Sequence, residues 1–260
     1  MIRAVRRARG IALVAAFVAA GPARAADYTG VHTVGIIVAV GDVFTRSMDA
    51  RFSAYDLAER VPVSGWDIDE LMGDTVAETI YGRFAIKAVN YGATEFHAVG
   101  GDGRDTRDSI EMLVRGMPAS NAVDAYVIVH KIAAQSARED AKLRGLGVHC
   151  RDFVWQGVSC DVYAFYAVTI ADARDGHVIA TSPARLPNAE DGSEEPVRTD
   201  PGGEWTGPFV ADGAQEIAPY RAGLFSLLRD SLPVALAGLE LPTPPAQEPA
   251  TPPPSQTPTQ

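Results

Sequence analysis

The chain has 260 residues, with 23 basic and 33 acidic side chains and a formal net charge of −10. Hydrophobic residues make up 47% of it, enough for one sizeable core. An acidic chain of this kind is repelled by phosphate backbones and anionic lipid headgroups, which disfavours nucleic acid and membrane-surface partners.

Residues 1–25 have the layout of a secretory signal peptide. Arg3, Arg6, Arg7 and Arg9 form a positive start, Ile11–Ala20 is a short apolar stretch, and Gly21-Pro22 breaks it. Ala23-Arg24-Ala25 then offers small residues at a cleavage site before Ala26. The apolar stretch is about half the length a membrane-spanning helix needs, and no Cys follows the cut to carry a lipid. The expected product is periplasmic, is not inserted in the membrane, and keeps 18 basic against 33 acidic residues, a charge of −15.

In chain order, "TVGIIVAV" (Thr33–Val40) predicts a buried strand, closed by Gly41-Asp42. A polar, aromatic region follows (Phe44–Met72), and the aromatics near Phe44–Trp66 are expected to be exposed as a contact surface, together with the acidic loop that carries Trp205 and the Pro-rich tail. Thr75-Val76-Ala77-Glu78 matches a capping box. Val76, Ile80, Phe84, Ala88 and Tyr91 then recur at helical spacing, with Gly92 as the stop. "TEFHAVG" (Thr94–Gly100) predicts a short strand. Gly100, Gly101 and Gly103 predict a turn, and a helix follows from about Thr106 to Arg115, capped by Asp105 or Thr106.

"VDAYVIVHKI" (Val123–Ile132) predicts a strand, and the polar segment after it a helix or loop. Val148–Val154 and Val158–Phe165 predict a hairpin around "WQG", and "YAFYAVTIADARDGHVIATS" (Tyr163–Ser182) continues as strand, turn, strand. Residues 186–213 predict a long acidic loop carrying Trp205. Pro219–Leu239 predicts an amphipathic helix that Pro233 should kink. Residues 242–260, with eight prolines, predict a disordered tail. The order implies one α/β domain over 26–241, a mixed sheet with helices packed against it.

Cys150 and Cys160 are the only cysteines. In an oxidising compartment, and facing across a hairpin, they predict a structural disulfide. A redox pair would sit closer as Cys-x-x-Cys, and a zinc site with His149 lacks the usual spacing.

Catalytic signatures are sparse. Gly41-Asp42 stands where small esterases carry Gly-Asp-Ser, but Val43 occupies the nucleophile position. There is no Gly-x-Ser-x-Gly elbow and no phosphate-cradling Gly-x-x-x-x-Gly-Lys. Asp102, Asp105 and Asp108 miss the spacing of a calcium loop. His97 and His130 fall near the ends of predicted neighbouring strands, within reach of each other as a metal pair, but a single His at a strand end is more often a surface or hydrogen-bonded residue than a ligand. Asp172, Asp175 and His177 are turn residues whose carboxylates bond local backbone N–H groups.

Residues 33–240 resemble a periplasmic α/β module found in the amino-terminal domain of TolB, in lipoprotein activators of penicillin-binding proteins, and in the curli secretion protein CsgG. The shared features are the Asp-Ala strand at Asp124–Val127 and the turn Asp172–Gly176. The front, "TVGIIVAVGDVFT", resembles a family of uncharacterised exported proteobacterial proteins. The resemblance implies a non-catalytic domain that docks on cell-envelope proteins without a cofactor, and it carries over no catalytic residue. An exported hydrolase or metal-dependent enzyme using Asp42, His97, Asp102 and His130 is the alternative. A small-ligand binder with a pocket under residues 41–72 is another.

Overall fold

Ten strands and four α-helices are seen in a computed structural model that describes residues 26–49, 57–100, 105–136, 141–153, 157–187, 195–199 and 217–243. The expected signal peptide, the "WQG" turn, Asp102, Trp205, most of the acidic loop and the tail beyond Thr243 lie outside the described residues.

The strands are β1 (Thr33–Ala39), β2 (Val43–Asp49), β3 (Leu57–Pro62), β4 (Ala85–Lys87), β5 (Ala125–Lys131), β6 (Ala133–Ser136), β7 (Ala141–Phe153), β8 (Gly157–Asp172), β9 (Val178–Pro183) and β10 (Val197–Thr199). The helices are α1 (Ile68–Ile80), α2 (Ala93–Ala98), α3 (Thr106–Arg115) and α4 (Tyr220–Ala237). The sheet runs β3-β2-β7-β8-β5-β1-β4. Pairs β1–β4, β1–β5 and β2–β7 are parallel and the others antiparallel, so the sheet is mixed and the fold is α/β.

The spine is β8, 16 residues long. Its first half pairs with β7 and β10, its second half with β5 and β9. The period-two alternation of a strand separates its faces. Val162, Ala164, Tyr166, Val168 and Ile170 join a core with Leu224, Leu228, Leu232 and Leu236 of α4 and with Met72, Val76 and Ile80 of α1. On the opposite face, Ile37, Tyr126, Ile128 and Ala171 pack with Phe96 of α2 and Ile110 and Val114 of α3. Both faces of β8 are buried, which is why the sequence there is almost continuously apolar.

Four expectations are corrected. Helix α1 begins at Ile68 rather than Thr75, with Asp69 and Glu70 in its first turn, where the helix dipole favours acids. Thr75 is therefore mid-helix, its hydroxyl donating to the Leu71 carbonyl at 2.9 Å. The helix stops at Ile80, and Gly82, at φ 78°, lets the chain turn into β4, so Phe84, Ala88 and Tyr91 lie outside it. "TEFHAVG" is α2 instead of a strand, because Phe96 and Val99, three apart, are the buried pair.

The segment after β5 is neither helix nor plain loop: Ala133–Ser136 pairs antiparallel with Ala141–Arg144. Finally, the 41–72 region is the β2–β3 ribbon and the entry to α1. Phe44 is fully buried within ring contact of Trp66 and Tyr220, so it is core rather than contact surface.

Helix α3 starts where the sequence placed it, with the Asp105 carboxylate accepting from Arg107 N–H at 2.9 Å. Cys150 and Cys160 are direct cross-strand partners, 4.0 Å apart at Cα, and are joined in a buried disulfide. Pro233 lies inside α4. No helix among the described residues is long and apolar enough to cross a membrane.

Candidate functional site

Strands β1 and β5 run parallel, and both end at the same edge of the sheet, at Ala39 and Lys131. In α/β sheets, the carboxyl ends of parallel strands are where loops and helix starts gather polar groups. Here the loop Val40-Gly41-Asp42 leaves β1, and the start of α1 returns against it. Asp69 Oδ1 accepts from the backbone N–H groups of Val40 at 3.0 Å and Gly41 at 2.7 Å. A side chain at position 41 would bring its Cβ within 2.8 Å of Ile68 Cβ, so the close approach of α1 requires glycine there. The other oxygen of Asp69 lies 3.1 Å from His97 Nε2.

Asp42 is paired with Lys131 at the end of β5. The Lys131 side chain is 4% exposed. Burial pulls its pKa down, the Asp42 carboxylate opposes that, and the nearby positive charges of Arg144 and Arg60 add to the fall. Arg144 in β7 gathers the carbonyls at the end of α2: Nη2 donates to Val99 at 2.8 Å and Nε to Gly100 at 3.1 Å. A cation there answers the negative end of a helix.

Next to these groups lies a cleft of about 350 Å³. Its walls include Val43, Thr45 and Ser47 of β2, Ala58 and Arg60 of β3, Lys131, and Lys142 and Arg144 of β7, and Tyr163 of β8 also lines it. Four cations therefore line one cleft. Lys131 is matched by a carboxylate and Arg144 is occupied by backbone carbonyls. Arg60 and Lys142 are exposed and have no hydrogen bond or ion pair among the described residues.

The candidates of the alternative enzyme reading that are described are each held by a separate partner. Asp42 is held by Lys131 and His97 by Asp69. His130 is buried, its Nε2 2.9 Å from the Thr169 hydroxyl, and burial pushes its pKa down to about 4. His97 and His130 share no partner, because "TEFHAVG" is a helix and His97 does not sit at a strand end. Asp102 lies outside the described residues. Among the described residues no three His, Cys, Asp or Glu side chains gather as a metal site requires.

The Asp172–His177 turn is built by its own carboxylates. Asp172 accepts from Arg174 N–H at 2.7 Å and Asp175 from His177 N–H at 2.8 Å. Gly176, at φ 76°, closes the loop against Glu111 of α3. The Arg174 guanidinium holds Asp172 below the usual carboxylate range.

A pair that sequence reading missed lies on neighbouring strands. Ser47 Oγ is 2.9 Å from His149 Nδ1, and Asp161 is the cross-strand neighbour of His149. Asp161 is bonded by Arg151 at 3.3 Å. Ser47 sits mid-ladder between β3 and β7, where backbone N–H groups serve strand pairing and not an oxyanion hole.

No protein-family model, curated protein or solved structure matches the chain.

Sequence reasoning also missed Asp69, Arg60, Lys131, Lys142 and Arg144. Lys131 carried a signal, a lysine ending the strongly apolar run "VIVH". Arg60 carried none with respect to Lys142 and Arg144, since β3 and β7 are distant in sequence and only β2, paired with both, brings them together.

Proposed function

We propose that this protein is a soluble, non-catalytic binding protein of the periplasm, which docks on another cell-envelope component and takes hold of its ligand through the basic cleft. The observation that carries this reading is the state of the polar groups at the sheet edge. Asp42, Asp69 and His97 are each closed by a partner, as is His130 further along the strand. The groups left over are Arg60 and Lys142, which are hydrogen-bond donors suited to binding and poor as nucleophiles or bases. The signal-peptide layout and the outline shared with the TolB-type module support the location and the docking role.

The test is affinity purification from cross-linked cell envelopes with three forms: the intact chain, the chain lacking 244–260, and the Arg60→Glu/Lys142→Glu double variant. The expected result is one stoichiometric envelope partner whose recovery falls in the double variant. Absence of a reproducible partner for the intact chain would overturn the docking role.

The alternative of an exported hydrolase rests on the Ser47–His149 contact alone. It requires ester turnover that disappears in Ser47→Ala, and turnover equal in the two forms rejects it.

A further inference from the structure

We infer that the cleft between β2–β3 and β7 is a binding site for a small phosphate ester, an inference that rests on the cleft being the protein's ligand site. Among the described residues the cleft has the cations Arg60 and Lys142 beside the Lys131–Asp42 ion pair, with Arg144 bound to backbone carbonyls. Arg60 and Lys142 bring two positive charges without an ion pair among the described residues, more than a single carboxylate ligand would balance. A phosphate monoester brings close to two negative charges near neutral pH and three acceptor oxygens.

The donors fit that chemistry. The Arg60 guanidinium presents a planar fork and Lys142 a mobile ammonium, both exposed and unengaged among the described residues. Thr45 and Ser47 also line the cleft, their hydroxyls engaged by Tyr163 and His149, so the free donors there among the described residues are those of Arg60 and Lys142. Neighbouring charge supports the same conclusion, since Arg60 and Arg144 both act against the protonated form of Lys131 and an anion in the cleft would relieve that repulsion. A volume of about 350 Å³ suits a small ligand.

The size of the ligand follows from the charge of the whole chain. The net charge is −10 before the expected signal cleavage and more negative after it. An extended anionic surface such as a bilayer or a nucleic acid meets that repulsion over a wide area. A small ion inside the cleft meets mainly the cations within a Debye length of roughly 8–10 Å. The site therefore selects a small soluble phosphate over a phospholipid headgroup held in a membrane.

Calorimetric titration of the mature chain with glycerol 3-phosphate and with inorganic pyrophosphate tests this. Acetate serves as the carboxylate comparison and phosphatidylglycerol vesicles as the membrane comparison. Saturable one-site binding is expected, weakened about tenfold by Arg60→Gln or Lys142→Gln and about a hundredfold by both. Arg229→Gln, an exposed charge on α4, should leave it unchanged.

Arg60 and Lys142 are both exposed, and unchanged thermal melting would show that the variants fold. Equal affinity in the double variant, no saturation at about 10 mM, acetate binding as tightly as the phosphates, or binding to vesicles alone would each overturn the inference. Partner capture that survives in any of those cases would leave the docking reading standing, so the two fail separately.

Discussion

His130 is the residue whose chemistry is most altered by the fold. Its Nδ1 lies 3.3 Å from the Lys131 carbonyl, so in the neutral ring Nδ1 carries the proton and Nε2 accepts from Thr169. Thr169 in turn meets the Thr181 hydroxyl at 3.0 Å. Burial lowers the pKa of His130 from 6.5 to about 4, so the unfolded chain binds a proton there that the folded chain refuses. Stability from this group is complete above the unfolded pKa and falls as the pH drops from 6.5 towards 4. Between pH 7 and 5 the loss should be about 2 kcal/mol, measured by urea unfolding, and His130→Gln should flatten that slope. An unchanged slope in the variant would assign the acid sensitivity elsewhere. Asp124 and Asp172 are also lowered from 3.8, by backbone N–H groups and by Arg174 respectively, and so act below this window.

Asp69 gives a second residue-scale test. Asp69→Ala would leave the Val40 and Gly41 N–H groups without their acceptor and should cost about 2–4 kcal/mol of unfolding free energy. Asp69→Asn keeps the Oδ1 acceptor and loses only the charge facing His97, so it should recover most of that loss. Equal losses in the two variants would mean that the contact with His97 matters more than the loop contact.

At the scale of elements, the disulfide ties β7 to β8 across a sequence separation of 10. Closing so short a loop constrains the unfolded chain by about 2–3 kcal/mol in the loop-entropy model. Cys150→Ala/Cys160→Ala should lower the melting temperature by about 5–10 °C. Reduction of the wild type should do the same and release two thiols. A melting point that ignores reduction would show that the hairpin register holds without the bridge.

This hairpin was legible in the sequence because every signal agreed: cysteines symmetric about Trp155, β-rich flanks and an Asp-Gly turn after the second strand. The α4 stripe of leucines and the α3 cap were legible for the same reason. "TEFHAVG" was misread because seven residues hold too few repeats to separate period two from period 3.6, and packing of Phe96 on Ile37 decides it. The start of α1 was misread because Thr75 can satisfy either a cap or the preceding turn, and only the contact of Asp69 with the β1 loop places the helix start seven residues earlier.

At the scale of the molecule, net charge concealed the cleft, because a sum over 33 acids and 23 bases keeps no record of position. The end of the folded unit is clearer, since the two ends of the described chain meet. The Tyr28 hydroxyl donates to the Leu239 carbonyl, and Arg83 reaches the carbonyls of Leu241 and Pro242 at 3.4 Å each. Leu239 is 1% exposed, so it belongs to the core beside α4 although it follows the helix. Truncation after Thr243 removes only sequence too rich in proline and too poor in large apolar side chains to add to that core, and should leave the melting temperature unchanged. Truncation after Leu236 removes the Leu239 side chain and frees Tyr28 and Arg83 from their carbonyl partners. It should cost about 2–5 kcal/mol, a fall of roughly 5–15 °C for a domain of this size. If the two truncations melt alike, the contact between the chain ends contributes nothing and the stabilising unit ends with α4 itself. If they separate as expected, deleting 244–260 in the partner-capture experiment alters the tail alone, and any partner lost with it was held by the tail rather than by an unfolded domain.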